Sequence, residues 1–213
     1  DRINVSIDTL DPEKFKLITR GGRLDLVMQG IEAAEASGMT PIKLNAVVVR
    51  GHSEHEVADL AALTLTKDWE VRFLEIMPME GVGIVYDEGL VTTEETKAEL
   101  ERHFGTLLPI ETDPSDPARL WQIPGAKGKI GFISPISQPF CSACNRVRLT
   151  ADGKLRLCLL RADEIDFREH LRAGATDEEL ESMLLAGIWR KPWGHGVAEG
   201  DRHTVRGMSQ IGG

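Results

Sequence analysis

The sequence has no apolar run of the roughly 18 residues that a membrane-spanning helix needs, and it opens on no signal-peptide pattern. It lacks a basic excess: 25 Lys and Arg stand against 34 Asp and Glu, a formal net charge of −9. Such a chain does not bind nucleic acid generally, so any anion site must be built locally. Cysteine is scarce and odd in number, three in all. That argues against a disulfide scaffold and for a reducing, cytoplasmic compartment. An initiator Met is missing as well. Asp1-Arg2-Ile3-Asn4-Val5-Ser6-Ile7-Asp8 reads as a strand at full strength with no cap or linker before it, as expected of a piece of a longer chain. The 41% apolar and 28% charged composition suits one large domain or two small ones.

The first part alternates strand and helix. Ile3 to Ile7 is a short strand, and Asp11-Pro12 opens a helix with an acidic cap and Pro at its first position. Leu24, Val27, Ile31 and Ala34 step by three and four along a second helix that ends at Gly38. Ile42 to Val49 is nearly all apolar, as a strand buried on both faces would be. Ser53 and Glu56 suggest a capping box for the next helix, and Glu70 to Met77 is a third strand. This β-α-β-α-β order predicts a parallel sheet with right-handed crossovers. Thr92 or Thr93 caps a further helix to about Phe104; a short strand at Leu107 to Ile110 and a hairpin of Leu120–Ile123 with Lys129–Ser134 follow. Two helices are expected at about Asp163–Leu171 and Asp177–Ile188, and the tail from Pro192 reads as irregular.

The chemistry concentrates in Phe140-Cys141-Ser142-Ala143-Cys144-Asn145-Arg146-Val147-Arg148-Leu149-Thr150 with Cys158 beyond it, a C-x2-C-x13-C spacing that uses every cysteine. Asn145–Thr150 and Lys154–Leu160 form a hairpin through Ala151-Asp152-Gly153 in one of two registers. A two-residue Asp-Gly turn pairs Val147 with Cys158; a three-residue loop with left-handed Gly153 pairs Arg146 with Cys158. The second is expected, because it gathers Cys144, Arg146, Arg148, Arg156 and Cys158 on one face. Three thiolates suit zinc with a histidine, or three irons of an iron–sulfur cluster, and a buried thiol pair plus an unrelated cysteine is the plain alternative. Arg146 and Arg148 point the same way along a strand and suit phosphate, or else a solvated edge. All of these readings stay open on the spacing alone.

The whole stretch, with Gly-Lys-Leu-Arg-Leu-Cys-Leu after it, resembles the second-cluster motif of the GTP 3′,8-cyclase family of molybdenum cofactor biosynthesis, within the radical S-adenosylmethionine superfamily. The resemblance extends to Arg2–Leu10, Ile42–Asn45, Arg72–Pro78 and the terminal Gly212-Gly213. It implies an α/β fold: a partial, TIM-like radical-SAM barrel with parallel strands over 1–105, then an α+β region with antiparallel hairpins over 106–213. It implies that Cys141, Cys144 and Cys158 ligate a [4Fe–4S] cluster, and that Lys43, Arg146, Val147 and Arg148 bind GTP. Ser6 and Met77 would contact S-adenosylmethionine, Arg72 would lie near the radical chemistry, and Gly212 and Gly213 would thread toward it. In the intact enzyme, it implies, a 5′-deoxyadenosyl radical takes the ribose 3′ hydrogen of GTP and the carbon radical attacks C8 of guanine. The family's other motif, the C-x3-C-x2-C that holds the S-adenosylmethionine-splitting cluster, is missing here. The chain alone is therefore expected to be inactive, with a non-catalytic zinc or iron–sulfur nucleotide-binding module as the alternative. GTP is the expected partner, with no nucleic acid and no membrane; a homodimer of the intact protein is left open. A missing half-barrel would also leave the first strand as an exposed edge and give poor monomer behaviour.

Overall fold

The computed structural model describes residues 1–79, 86–197, 200 and 206–211. Contacts divide the chain into two compact units, one of residues 1–76 and 87–138, the other of 77–86 and 139–213. The expected division at 105/106 falls elsewhere because the strands after it join the first sheet.

The first unit holds β1 (Ile3–Ser6), α1 (Pro12–Ile18), α2 (Leu24–Ala36), β2 (Ile42–Val48), α3 (Val57–Thr66), β3 (Trp69–Glu75), α5 (Thr93–Phe104), β4 (Leu108–Ile110), β5 (Ala118–Gln122) and β6 (Lys129–Ile133); the one-turn α4 (Tyr86–Gly89) begins on the boundary. Six strands form one sheet in the order β1-β2-β3-β6-β5-β4. β1, β2, β3 and β6 run parallel, and β5 and β4 continue the sheet antiparallel. The expected β5–β6 hairpin is present, and its second strand also pairs with β3.

α1 and α5 start on side-chain caps. Asp11 accepts from the N–H groups of Glu13 and Lys14 at α1, and Thr92 forms a capping box with Glu95 at α5. The Ser53–Glu56 box does not form. The Ser53 hydroxyl is used by Val49 N–H and Val47 C=O, and α3 begins only after Glu56, whose carboxylate takes Thr9 and Lys14. β2 is not buried on both faces either: Ile42, Leu44, Ala46 and Val48 are buried while Lys43, Asn45 and Val47 are half-buried. The apolar set meets Val71, Phe73, Ile130 and Phe132 of the neighbouring strands and packs with α1, α2, α3 and α5 residues such as Phe15, Ile31, Leu60 and Leu100. At about 25 cal/mol per Å² of apolar surface, this one-sided burial is the chief stabiliser of the unit.

The second unit carries a three-stranded antiparallel sheet of β7 (Arg148–Leu149), β8 (Lys154–Arg156) and β9 (Glu164–Asp166), followed by α6 (Phe167–Arg172) and α7 (Asp177–Trp189). The expected helix from Asp163 starts four residues late because Glu164–Asp166 pairs as a strand and Asp166 caps α6. Gly187 lies where α7 crosses this sheet: a Cβ there would stand 2.7 Å from Ile165 Cδ1. No helix among the described residues is long and apolar enough to cross a membrane.

Candidate functional site

Two groups of expected site residues are found, one in each unit. In the first unit the parallel register sets Asn4, Lys43, Glu70 and Lys129 side by side, and Ser6, Asn45, Arg72 and Gly131 in the next polar row. Paired positions share a face, so Ser6, Lys43 and Arg72 lie on the sheet face opposite the apolar core. Ser6 is exposed, not a buried core hydroxyl. Lys43 was expected to need an anion, and the protein supplies one: Lys43 Nζ lies 3.9 Å from Glu70 Oε2, and Arg72 Nε also binds that carboxylate. Burial pushes the Lys43 ammonium below its ordinary pKa, the Arg72 charge adds to this, and Glu70 opposes both. Gly131 leaves room for Arg72, since a Cβ there would stand 3.0 Å from Arg72 Cγ. Asn45 Oδ1, in the same row, is buried with no hydrogen-bond partner among the described residues.

Glu75, on the other face, is held by hydrogen-bond donors. It is 3% exposed and accepts from the N–H groups of Thr93, Ile136 and Ser137 at 2.9 Å each, and from the Ser137 hydroxyl. Met77 lies beyond β3 rather than in it and is half-buried, within the second unit.

In the second unit Cys141 to Ala143 form a 3₁₀ turn, and all three cysteines are free and half-buried. The hairpin takes the three-residue register. Arg148 pairs with Arg156, Thr150 N–H donates to the Lys154 carbonyl at 2.9 Å, and Gly153 is left-handed at φ 79°. Yet the ladder stops at Arg156, so Arg146 and Cys158 do not form the strand pair that this register would give if it continued. Arg156 departs further from expectation. Its side chain is fully buried, bound to Glu164 at 2.6 Å and to the carbonyls of Leu159 and Arg161. It shapes the turn that carries Cys158 instead of facing a ligand. Arg146 is exposed with its guanidinium 5.7 Å from the Phe140 ring, Val147 is exposed, and Arg148 donates to the Ile211 carbonyl at 3.3 Å. Gly212 and Gly213 lie outside the described residues.

The thiols share one electrostatic environment. Burial pushes the Cys141 thiol up, a hydrogen bond from the His195 backbone N–H pulls it down, the Cys158 and Cys144 charges raise it, and Lys191 lowers it, with a net rise. Among the described residues no three His, Cys, Asp or Glu side chains form a group that could hold a single metal ion. Sequence reasoning missed Glu70, Lys191 and His195. Glu70 had one signal, its two-residue offset from Arg72, which puts both on one strand face. The other two had none, since a strand and two helices separate them in sequence from the residues they touch.

The matches to family models divide the chain earlier than its two units do. A family model described as Molybdenum Cofactor Synthesis C matches residues 69–197, and one described as Radical SAM superfamily matches 1–64. Proteins named GTP 3′,8-cyclase are similar over the whole chain. That of Alkaliphilus metalliredigens is 46% identical over 214 residues, that of Gloeobacter violaceus 46% over 217, and that of Moorella thermoacetica 43% over 216. The chain spans 65%, 66% and 65% of their respective lengths.

Proposed function

The chain belongs to the Molybdenum Cofactor Synthesis C family, and from that membership we propose that it carries the cluster- and GTP-holding part of a GTP 3′,8-cyclase. The observation that carries this is the set of three free, half-buried thiols in mutual electrostatic reach, beside Arg146 and Arg148. Cys141, Cys144 and Cys158 would hold a [4Fe–4S] cluster. The donor set fits: thiolates of a cluster each take a different iron and need not converge on one point, as zinc ligands must. The bound cluster would supply one iron without a protein ligand, open to the guanine base. Arg146, Arg148 and the backbone at Val147 would hold the nucleotide by charge-assisted hydrogen bonds, with Arg146 fixed over Phe140. Arg148 would exchange its Ile211 carbonyl for a phosphate oxygen. Their work is positioning and electrostatics rather than proton transfer.

β1, β2, β3 and β6 with their helices are the remnant of a partial TIM-like barrel in this reading, and the polar sheet face is its lining. Ser6 and Met77 would meet S-adenosylmethionine, Lys43 would bind GTP, and Arg72 would stand near the reacting atoms. The chain's only three cysteines are used at the second site. Radical initiation therefore needs cysteines this chain does not contain, and the chain by itself will not turn GTP over. A cytoplasmic setting goes with this chemistry.

Anaerobic reconstitution with iron and sulfide, followed by metal analysis and a visible spectrum, tests the assignment. About four irons per chain and a broad thiolate-to-iron band near ~400 nm are expected. Stoichiometric zinc with no such band would overturn it in favour of a zinc module. Cys158→Ser should lose the band while GTP retention on the arginines weakens.

A further inference from the structure

Where the ladder between β7 and β8 stops, a cation bridges the two segments that flank it. Lys191 Nζ donates to the Arg146 carbonyl at 2.8 Å and to the Leu157 carbonyl at 2.6 Å. Arg146 lies two residues after Cys144, and Leu157 is the residue before Cys158. A flexible four-carbon stem ending in three donors is well suited to joining two carbonyls that no strand pairing brings into register. Its charge is also felt at Cys141.

The same loop returns to the thiols four residues later. The His195 backbone N–H donates to the Cys141 sulfur, and His195 is only 7% exposed. Its Nδ1 accepts from Val197 N–H at 3.1 Å, which leaves the ring proton on Nε2. Nε2 has no partner among the described residues. A buried donor left unpaired carries a desolvation cost.

We propose that Lys191 is a positioning residue of the three-thiol site, whose ammonium fixes the separation of Arg146 and Leu157 and so the separation of Cys144 and Cys158. This rests on the cluster assignment above. Metal sites depend on such supporting contacts by about 10- to 100-fold in affinity.

The test uses the full chain, reconstituted anaerobically, as wild type and Lys191→Met. Release of iron to a chelator, the cluster's reduction potential and the thermal midpoint of the cluster-free chain are measured. Release about tenfold faster and a potential moved to more negative values, as loss of a nearby cation dictates, are expected, with a midpoint close to wild type. A merely structural lysine would move the midpoint and leave the potential alone. Wild-type release and potential in Lys191→Met would overturn the inference while leaving the cluster assignment standing; a wild-type chain that takes up no cluster would overturn both. If Lys191→Met does not fold, Lys191→Arg carries the test. A guanidinium holds its two acceptors farther apart, so faster release at an unchanged midpoint is expected, and wild-type release overturns the inference.

Discussion

Glu70 sits between Lys43 and Arg72, and the three side chains work as one group. Glu70 raises the Lys43 pKa against burial and the Arg72 charge. Glu70→Gln should therefore lower it further, leave more neutral amine at a given alkaline pH, and speed reaction of Lys43 with an amine reagent; Arg72→Met should slow it. Equal rates in all three chains would show that the cluster of charges is not coupled as drawn. Arg156 gives a second prediction. Its fully buried charge is held by Glu164 and two carbonyls. Removing one partner of a buried pair strands the other, at about 3–5 kcal/mol. Arg156→Met should lower the urea-unfolding free energy of the second unit by roughly that amount. A loss under about 1 kcal/mol would mean that Glu164 is satisfied by Arg206 alone. The Glu70–Arg72 offset was a signal in the sequence, but the burial of Arg156 was not legible there, where it reads as one more cation beside Arg146 and Arg148. The alternation of a strand gives a side chain's face, but not whether a partner such as Glu164 arrives from the next strand to bury it.

Among the elements, α5 and α3 differ in how their starts are secured. Thr92→Ala removes a reciprocal cap and should cost about 1 kcal/mol in chemical denaturation. The box read from the sequence, Ser53 with Glu56, does not form, and the one that forms, Thr92 with Glu95, was expected only as a cap by Thr92 or Thr93. The Thr92 hydroxyl accepts from the Glu95 N–H, while the Ser53 hydroxyl closes the bend between Val47 and Val49. The Glu56 carboxylate is drawn away to Thr9 and Lys14, a tertiary contact that local sequence does not show. The hairpin register was legible in part: Asp152-Gly153 allows either turn, and the expected three-residue loop forms with Gly153 at positive φ, but the ladder stops before Cys158 and Arg156 is buried instead of joining the common face. The tail segment has its own switch. Arg206, helped by Thr150, holds Asp152 far below the ordinary carboxylate range. Burial raises Glu164, but Arg206 and Arg156 outweigh it and hold it low as well. Carboxylates with depressed folded pKa values stabilise above their unfolded values and lose that contribution as pH falls through the folded ones. Wild type should thus lose stability between about pH 5 and pH 2 more steeply than Arg206→Leu. Parallel curves would mean that the Arg206 contacts do not tether the segment.

At the scale of the whole molecule, the sheet has an open side. β1 is its first strand in order and pairs only with β2 among the described residues. Its free N–H and C=O groups invite pairing with another chain. The chain alone is expected to sediment above monomer mass, and a single compact monomer across a range of concentrations would count against this. The parallel core was readable from the β-α alternation. The position of β6 was not, because nothing in a hairpin's sequence says which third strand its outer edge will meet. That position has a consequence in time. β6 is the last strand of this sheet to leave the ribosome, yet it sits in the middle, between β3 and β5. Until residue 133 is made, β3 waits as an unpaired edge with Val71 and Phe73 ready to bury. The sheet cannot close in the order of synthesis, so the nascent chain passes through a stage in which a strand central to the finished sheet is an adhesive edge.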